Sequence, residues 1–150
     1  FSAEERGLLG SKHLAEKLQA NGASLYTVLN FEMTGVPMKA KDYMVYLTGF
    51  QRSNLAEVAN RYGQKDLVGY LPQAADYNLF QRSDNYSFFQ VFKVPAHTFS
   101  TFDFTNYPYY HQPGDEAGEM DFAHMAILVN RMIPVVAGIA DAPTAELKLH

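Results

Sequence analysis

The chain has 150 residues and a mass of 16.9 kDa, enough for one domain with a sizeable hydrophobic core. Its net charge of −4, with no cluster of Lys or Arg, argues against a nucleic-acid surface and a membrane-surface helix. The absence of cysteine excludes disulfides, thiolate metal ligands and a cysteine nucleophile, so any metal ion must use His, Asp or Glu. We also expect no membrane-spanning segment, because the longest apolar run is short for a bilayer.

The first predicted elements alternate between strand and helix. In chain order we predict an apolar strand ending at Glu4-Glu5, a helix over Lys12–Ala20 with Ser11 as its N-cap, a strand over Leu25–Phe31, a strand around Tyr43–Leu47, and a helix from Ser53 to Tyr62-Gly63. A glycine-punctuated turn joins the paired carboxylates to the first helix.

The second half of the chain continues this alternation. We predict a mixed, loop-like stretch over Gln64–Arg82, a short helix capped by Ser83-Asp84 with Phe88, Phe89 and Phe92 on its apolar side, a strand over Ala96–Thr101, a polar and aromatic loop over Asp103–Glu119, and a long final helix capped by Asp121 and kinked at Pro134. Strands alternating with helices predict an α/β fold.

Four side chains are candidates for a metal site. Glu4, Glu5 and Glu32 directly follow predicted strands, and His111 lies in a loop after another strand. Open α/β sheets bind ligands at the carboxyl ends of strands, so these groups are expected to converge. Adjacent carboxylates point in different directions, so one can hold a zinc ion while its neighbour accepts a proton. For any single Glu, a solvated surface position remains the alternative.

The remaining histidines are expected to be surface or core residues rather than ligands. His13 lies on the first helix, His97 in a strand, His124 on the final helix and His150 at the end of the sequence.

Four segments, in this order, resemble the motifs of the co-catalytic zinc exopeptidases, which include bacterial leucine aminopeptidases, aminopeptidase Y and glutamate carboxypeptidase. Residues 4–13 resemble the signature EE-x-GLLGS, residues 29–33 the strand LNxDM, residues 83–86 the segment SDH, and residues 110–115 the loop H-T-P-x-D. The resemblance runs over most of the chain up to the final helix, and the four motifs together are specific.

The resemblance implies a role for each matching residue. Glu4 would be the general base that takes a proton from the attacking water, and Tyr110 would steady the tetrahedral oxyanion. Glu5 and His111 would ligate one zinc ion, and Glu32 would ligate the second. Glu32 stands where the family usually has Asp, and Asn85 replaces the His of SDH. We therefore expect Ser83 and Asp84 to support the structure or to hold the metal ligands in place, rather than to bind a metal themselves.

The resemblance also implies a fold and a position within it. We expect residues 1–150 to be the C-terminal portion of a catalytic domain with a mixed-sheet, three-layer αβα fold of the phosphorylase/hydrolase type, without its N-terminal strands. The family's other zinc-binding His and its bridging Asp precede the paired Glu residues, so this chain would hold at most a partial zinc site. We expect the isolated chain to be inactive or nearly so.

The leading hypothesis is a zinc aminopeptidase with a peptide substrate. A carboxypeptidase relative remains open, whereas glutaminyl cyclases typically carry a Trp before the ligand His, and this chain has Tyr110 there and no Trp. The alternatives from other classes are a non-catalytic ectodomain and a folded binding fragment. An exposed sheet edge would favour dimerisation. Relatives are often exported, which favours a secreted or periplasmic location.

Overall fold

A four-stranded mixed sheet forms the centre of the molecule. The computed structural model describes residues 1–63, 65–143 and 146–150. The strands are β1 (Val28–Phe31), β2 (Val45–Leu47), β3 (Val68–Gly69) and β4 (Ala96–Ser100), in the order β1-β4-β2-β3. β4 runs parallel to β1 and antiparallel to β2, so β1 and β4 end at the same edge of the sheet.

Helices cover both faces of the sheet and produce three layers. They are α1 (Leu9–Ala20), α2 (Leu55–Tyr62), α3 (Pro72–Asp76), α4 (Asn85–Phe92) and α5 (Phe122–Asp141). Side chains of α2 and α5 pack with β2 and β4 in the main core, whereas Ala15 of α1 and Phe88 of α4 pack on Ala96 from the other face. The predicted α/β class and three-layer arrangement are therefore confirmed.

The main core explains why α2 and α5 form where the sequence predicts helices. Leu55, Val58 and Ala59 of α2 are buried, as their spacing predicts. Asp121 caps α5, because its side chain accepts a hydrogen bond from the backbone N–H of His124. Pro134 lies inside α5.

Three local predictions are wrong in detail. Ser11 does not cap α1, which begins two residues earlier; the Ser11 hydroxyl instead donates back to the Leu8 carbonyl within the helix. The strand predicted over Leu25–Phe31 is reduced to β1. No strand precedes Glu4 in the described residues, and residues 4–6 form a 3-10 turn.

The stretch Gln64–Arg82 is not one loop. It contains β3, α3 and a 3-10 turn at Leu79–Gln81; Gln64 itself lies outside the described residues. The Asn60 side chain holds β3, accepting from the Val68 N–H and donating to the Val68 carbonyl, both at 2.8 Å. The strand β3 is therefore stabilised by a tertiary contact, and it is too short to give a clear pattern in the sequence.

The final helix α5 is more apolar than the sequence prediction of no membrane-spanning segment expects. By length and composition alone, this helix is long and apolar enough to cross a membrane. Leu128, Met132, Val135 and Ile139 of α5 are buried in the main core. Its other side exposes apolar side chains, among them Val129 and Ile133, beside the edge strand β1. Dimerisation through this edge stays a prediction.

Candidate active site

The candidate residues meet around one cavity at the edge where β1 and β4 end. This cavity has a volume of about 640 Å³, and we call it the acidic cavity. Its lining includes the five candidates of the sequence analysis, namely Glu4, Glu5, Glu32, Tyr110 and His111. The five side chains therefore lie together, as the sequence predicts. Their chemical roles stay predictions.

A tight turn at the start of the chain presents the two adjacent carboxylates. Glu4 and Glu5 lie in the 3-10 turn, and the Glu4 carbonyl accepts hydrogen bonds from the N–H groups of Gly7 and Leu8. Gly7 has a φ of 97°, which favours glycine. A Cβ at Gly10 would lie 2.4 Å from the Ser2 carbonyl oxygen. The two glycines of this segment therefore allow the turn to fold back on α1.

Glu5 and His111 form the closest pair of candidate ligands. The Nε2 atom of His111 lies 3.1 Å from Oε1 of Glu5, and both side chains are largely exposed. The Tyr110 ring stacks on the His111 ring with 4.0 Å between the centroids and also lies 4.8 Å from the Phe102 ring. The tilted contact between the rings of Tyr110 and Phe102 links the His111 loop to the segment that follows β4.

A hydrogen bond between two of its own side chains stabilises the loop that carries His111. The Tyr107 hydroxyl donates a 2.6 Å hydrogen bond to Oδ1 of Asp115, which also lines the acidic cavity. His111 itself has a left-handed backbone, with a φ of 55°. The same loop thus brings His111 and Asp115 to the cavity.

A hydrogen-bond network holds Glu32 in place. The Ser83 hydroxyl donates a short hydrogen bond to Oε2 of Glu32, and Asn30 donates to the same oxygen at 3.4 Å. Asn30 also donates to the Ser83 hydroxyl at 2.8 Å. Asn30 and Glu32 are two residues apart in sequence, whereas Ser83 comes from the segment before α4. Two segments of the fold, β1 and the residues before α4, therefore fix one carboxylate.

Asn85, which stands where the resemblance expects a His, lies in the core. It is fully buried and donates to the Ala96 carbonyl at 3.0 Å, while its own oxygen accepts from the Thr98 hydroxyl at 2.9 Å. The neighbouring Asp84 is also buried and has one oxygen without a hydrogen-bond partner among the described residues. Both residues face the protein interior.

The pKa of Glu4 is raised by burial and by the negative charges around it. Partial burial raises the pKa of Glu4, and the carboxylates of Glu32, Glu5 and Asp84 raise it further. The pKa of Tyr110 is also raised, first by burial, with Arg82 acting in the opposite direction. A Tyr with a raised pKa remains a hydrogen-bond donor at neutral pH, and a Glu with a raised pKa is a better base.

The donor atoms of Glu5 and His111 fit one edge of a zinc coordination sphere. Two ligands of a tetrahedral zinc ion, each ~2.0–2.1 Å from the metal, lie about 3.4 Å apart. The observed 3.1 Å between Oε1 of Glu5 and Nε2 of His111 is close to that spacing. Within the described ranges, however, no group of three or more His, Cys, Asp or Glu residues is placed to hold a metal ion. The pair has the spacing of an ion pair as well as that of two zinc ligands, and two donor atoms alone do not make a metal site.

Sequence reasoning missed Asn30 and Arg82 as site residues. Asn30 contacts Glu32 directly, and its position two residues earlier on the same strand was the available signal. Arg82 lines the acidic cavity from a stretch predicted as loop, and no motif marked it. Ser83 was considered a structural candidate, and it is hydrogen-bonded to Glu32.

Comparisons with known proteins give a family match and a fold match. The model of peptidase family M28 matches residues 1–136. Two crystal structures of LapA from Legionella pneumophila are similar. The match to the first includes 95% of this chain and 39% of the LapA chain, with 21% sequence identity and a TM-score of 0.69. The match to the second, described as the LapA aminopeptidase, includes 95% of this chain and 38% of the LapA chain, with 21% sequence identity and a TM-score of 0.72.

This chain therefore spans about two fifths of the length of those two structures. At this level of identity, the likeness establishes a shared fold. A search of curated protein sequences gave no significant match.

Proposed function

Because the chain belongs to peptidase family M28, we propose that it supplies part of the active site of a zinc-dependent aminopeptidase. The observation that carries this proposal is the meeting of Glu4, Glu5, Glu32, Tyr110 and His111 around the acidic cavity. The reaction is hydrolysis of the first peptide bond of a peptide substrate.

In this proposal Glu5 and His111 hold one zinc ion and Glu32 contributes to a second. A bound zinc ion supplies Lewis acidity, which polarises the scissile carbonyl and makes water easier to deprotonate. The spacing of 3.1 Å between Glu5 and His111 supports their shared role. Ser83 and Asn30 fix the orientation of the Glu32 carboxylate. The Glu32 side chain is therefore already ordered before a zinc ion binds.

Glu4 acts as the general base. Its raised pKa supports this role, because a carboxylate whose pKa lies closer to neutrality accepts a proton from water more readily. Tyr110 donates its hydroxyl proton as a hydrogen bond to the oxyanion that develops on the substrate. Its raised pKa keeps that proton in place at neutral pH.

We further propose that residues 1–150 are the C-terminal portion of the catalytic domain. The share of the two LapA structures that the chain covers, 39% and 38%, supports a partial domain. The resemblance also implies two further ligands, a zinc-binding His and a bridging Asp, which none of the four matching segments supplies. A polypeptide without those two ligands is expected to show little or no peptidase activity.

Replacing the proposed base tests the function. In a protein that carries this chain together with residues supplying the other two ligands, Glu4→Gln should lower kcat for aminoacyl-coumarin substrates by roughly 100-fold or more, because the base is lost while the shape is kept. Glu57→Gln, an exposed carboxylate on α2, is the matched control and should leave kcat unchanged.

Equal activity of the Glu4→Gln variant and the unaltered protein would rule out the role of Glu4. Absence of peptidase activity in the unaltered protein with zinc would favour the non-catalytic alternative.

A further inference from the structure

A small recess opens from the floor of the acidic cavity. It has a volume of about 40 Å³ and shares Glu32, Met33, Arg82 and Tyr110 with the acidic cavity. Its inner lining combines the apolar side chains of Leu79 and Phe102 with five hydroxyl-bearing side chains from β2, from β4, from the residue after β2 and from the segment before α4: Tyr46, Thr98, Ser100, Thr48 and Ser83. We call it the hydroxyl recess.

Three of these hydroxyl groups already donate to partners inside the protein. Tyr46 donates to the Phe102 carbonyl at 2.8 Å, Thr98 to Asn85 at 2.9 Å, and Ser83 to Glu32. The other two accept instead: Thr48 accepts from the Thr98 N–H at 3.2 Å and Ser100 from the Phe102 N–H at 3.3 Å, and neither O–H proton has an acceptor among the described residues. Thr48 is the more deeply buried of the two at 2% exposed, so water outside the recess does not satisfy its O–H.

The size of the recess limits what it can receive. A single water needs about 10–15 Å³ in the same measure, so 40 Å³ accommodates roughly three non-hydrogen atoms. That space suits the side chains of Ser and Thr and excludes those of Leu, Phe or Tyr. The carboxylates of Glu32, Glu4 and Glu5 near its mouth disfavour an acidic side chain, although Arg82 also borders the opening.

We propose that the hydroxyl recess binds the side chain of the substrate's N-terminal residue and selects Thr and Ser. This inference rests on the proposed function, in which Tyr110 donates to the oxyanion that develops on the scissile carbonyl and Glu32 contributes to the zinc site beside it. The scissile carbonyl then lies near both residues. The side chain attached to the adjacent Cα is the part of the substrate that reaches a recess opening between those residues. Thr48 then donates its free O–H to the hydroxyl oxygen of the substrate.

The hydrogen bond, rather than shape, makes the selection. Thr and Val side chains have nearly the same shape, so a site that differs in affinity for them is recognising the hydroxyl group. A buried donor left without an acceptor costs free energy, so the Val ligand leaves the Thr48 hydroxyl unsatisfied where the Thr ligand does not.

A titration of the ¹⁵N-labelled chain tests the inference without requiring catalysis. L-threonine amide and L-valine amide, which mimic an N-terminal residue, are added in the presence of zinc, and the amide signals of Thr48, Ser100 and Tyr110 are followed by NMR. We expect L-threonine amide to bind about 5- to 10-fold more tightly than L-valine amide.

Two variants sharpen the result. Thr48→Val keeps the shape of the recess but removes the more deeply buried of its two free O–H donors, and it should reduce the difference between the two ligands. An unchanged difference would overturn the role of Thr48. Thr34→Val, which removes a hydroxyl group from the separate cavity beneath α5, should preserve the difference. If Thr48→Val does not fold, the two ligands still form a matched pair on the unaltered chain.

The outcomes separate this inference from the proposed function. Equal affinities, or tighter binding of L-valine amide, would overturn the assignment of the recess and leave the peptidase proposal to its own test with Glu4→Gln. No perturbation by either ligand would overturn the assignment and count against an amino-acid site in the acidic cavity.

Discussion

Among the histidines, His97 is the one whose charge the fold excludes most strongly. It is fully buried on β4, where its Nδ1 donates to the Thr48 carbonyl at 2.8 Å and its Nε2 accepts from the Ser53 hydroxyl at 2.8 Å. Burial lowers the pKa of His97 to about 4. The sequence analysis interpreted this residue as part of the packed sheet, and the structure confirms that placement.

This burial predicts how stability depends on pH. The pKa of a His in the unfolded chain is about 6.5. Between pH 6.5 and about 4, the His97 ring is therefore protonated in the unfolded state and neutral in the folded state. The free energy of unfolding should therefore decrease as the pH falls through this range, by about 3 kcal/mol from His97. Urea unfolding of the chain at pH 7 and pH 4.5 measures the change.

Two variants isolate the contribution of His97. His97→Gln should show a smaller loss of stability between the two pH values, whatever its stability at pH 7. His13→Gln, on the exposed side of α1, should behave as the unaltered chain. Identical pH dependence in all three proteins would contradict the assignment of a neutral, buried His97.

Motif residues could be predicted from sequence, but the contacts that position them could not. Glu4 and Glu5 are adjacent and lie beside glycines, so their pattern is local and readable. The network around Glu32 joins Asn30 to Ser83, which is 53 residues away in sequence, and such a contact depends on how β1 packs beside α4. Asn30 and Arg82 could therefore be identified as site residues from the structure but not from the sequence.

At the scale of elements, the turn after β2 depends on a glycine that packs against an aromatic ring. Gly49 has a φ of 64°, and a Cβ at this position would lie 2.3 Å from Cδ2 of Phe80. Gly22, which follows α1, also has a left-handed backbone, with a φ of 72°, but a Cβ there would meet nothing within 4 Å. The two glycines share a backbone conformation and differ in their surroundings.

This contrast gives a matched pair of variants. Gly22→Ala should destabilise the chain by about 1 kcal/mol, the cost of a left-handed Ala. Gly49→Ala should cost about 2–4 kcal/mol, because it adds the displacement of the buried Phe80 ring to the backbone cost. Urea unfolding of both variants measures the difference, and equal losses would mean that Phe80 does not restrict Gly49.

Long elements were easier to predict than short ones. The spacing of apolar residues in α2 and the Asp121 cap of α5 are local signals that the fold keeps. In contrast, β3 has two residues and is held by the Asn60 side chain, and α3 has five residues. Elements of that length are stabilised by tertiary contacts, which composition does not encode.

At the scale of the whole molecule, the acidic cavity and a broad apolar surface lie at different parts of the sheet. The exposed side of α5 and Phe31 of the edge strand β1 line a cavity of about 500 Å³. The acidic cavity instead lies beyond the ends of β1 and β4. The lining of the acidic cavity comes from α1 and the turn before it, from α4 and the segment before it, and from the loops that follow β1 and β4. The helices α1 and α4 cover the same face of the sheet, so the site is assembled at one face and one edge.

Zinc binding by the purified chain is the measurement that tests the central claim most directly, because the claim is that Glu5 and His111 share a metal ion. Stoichiometry and affinity should be measured by equilibrium dialysis for the unaltered chain, for His111→Ala, and for His13→Ala as a histidine control outside the cavity. We predict specific zinc binding that falls at least 10-fold in His111→Ala and is unchanged in His13→Ala. Zinc affinity that is equal in the unaltered chain and in His111→Ala would contradict the account.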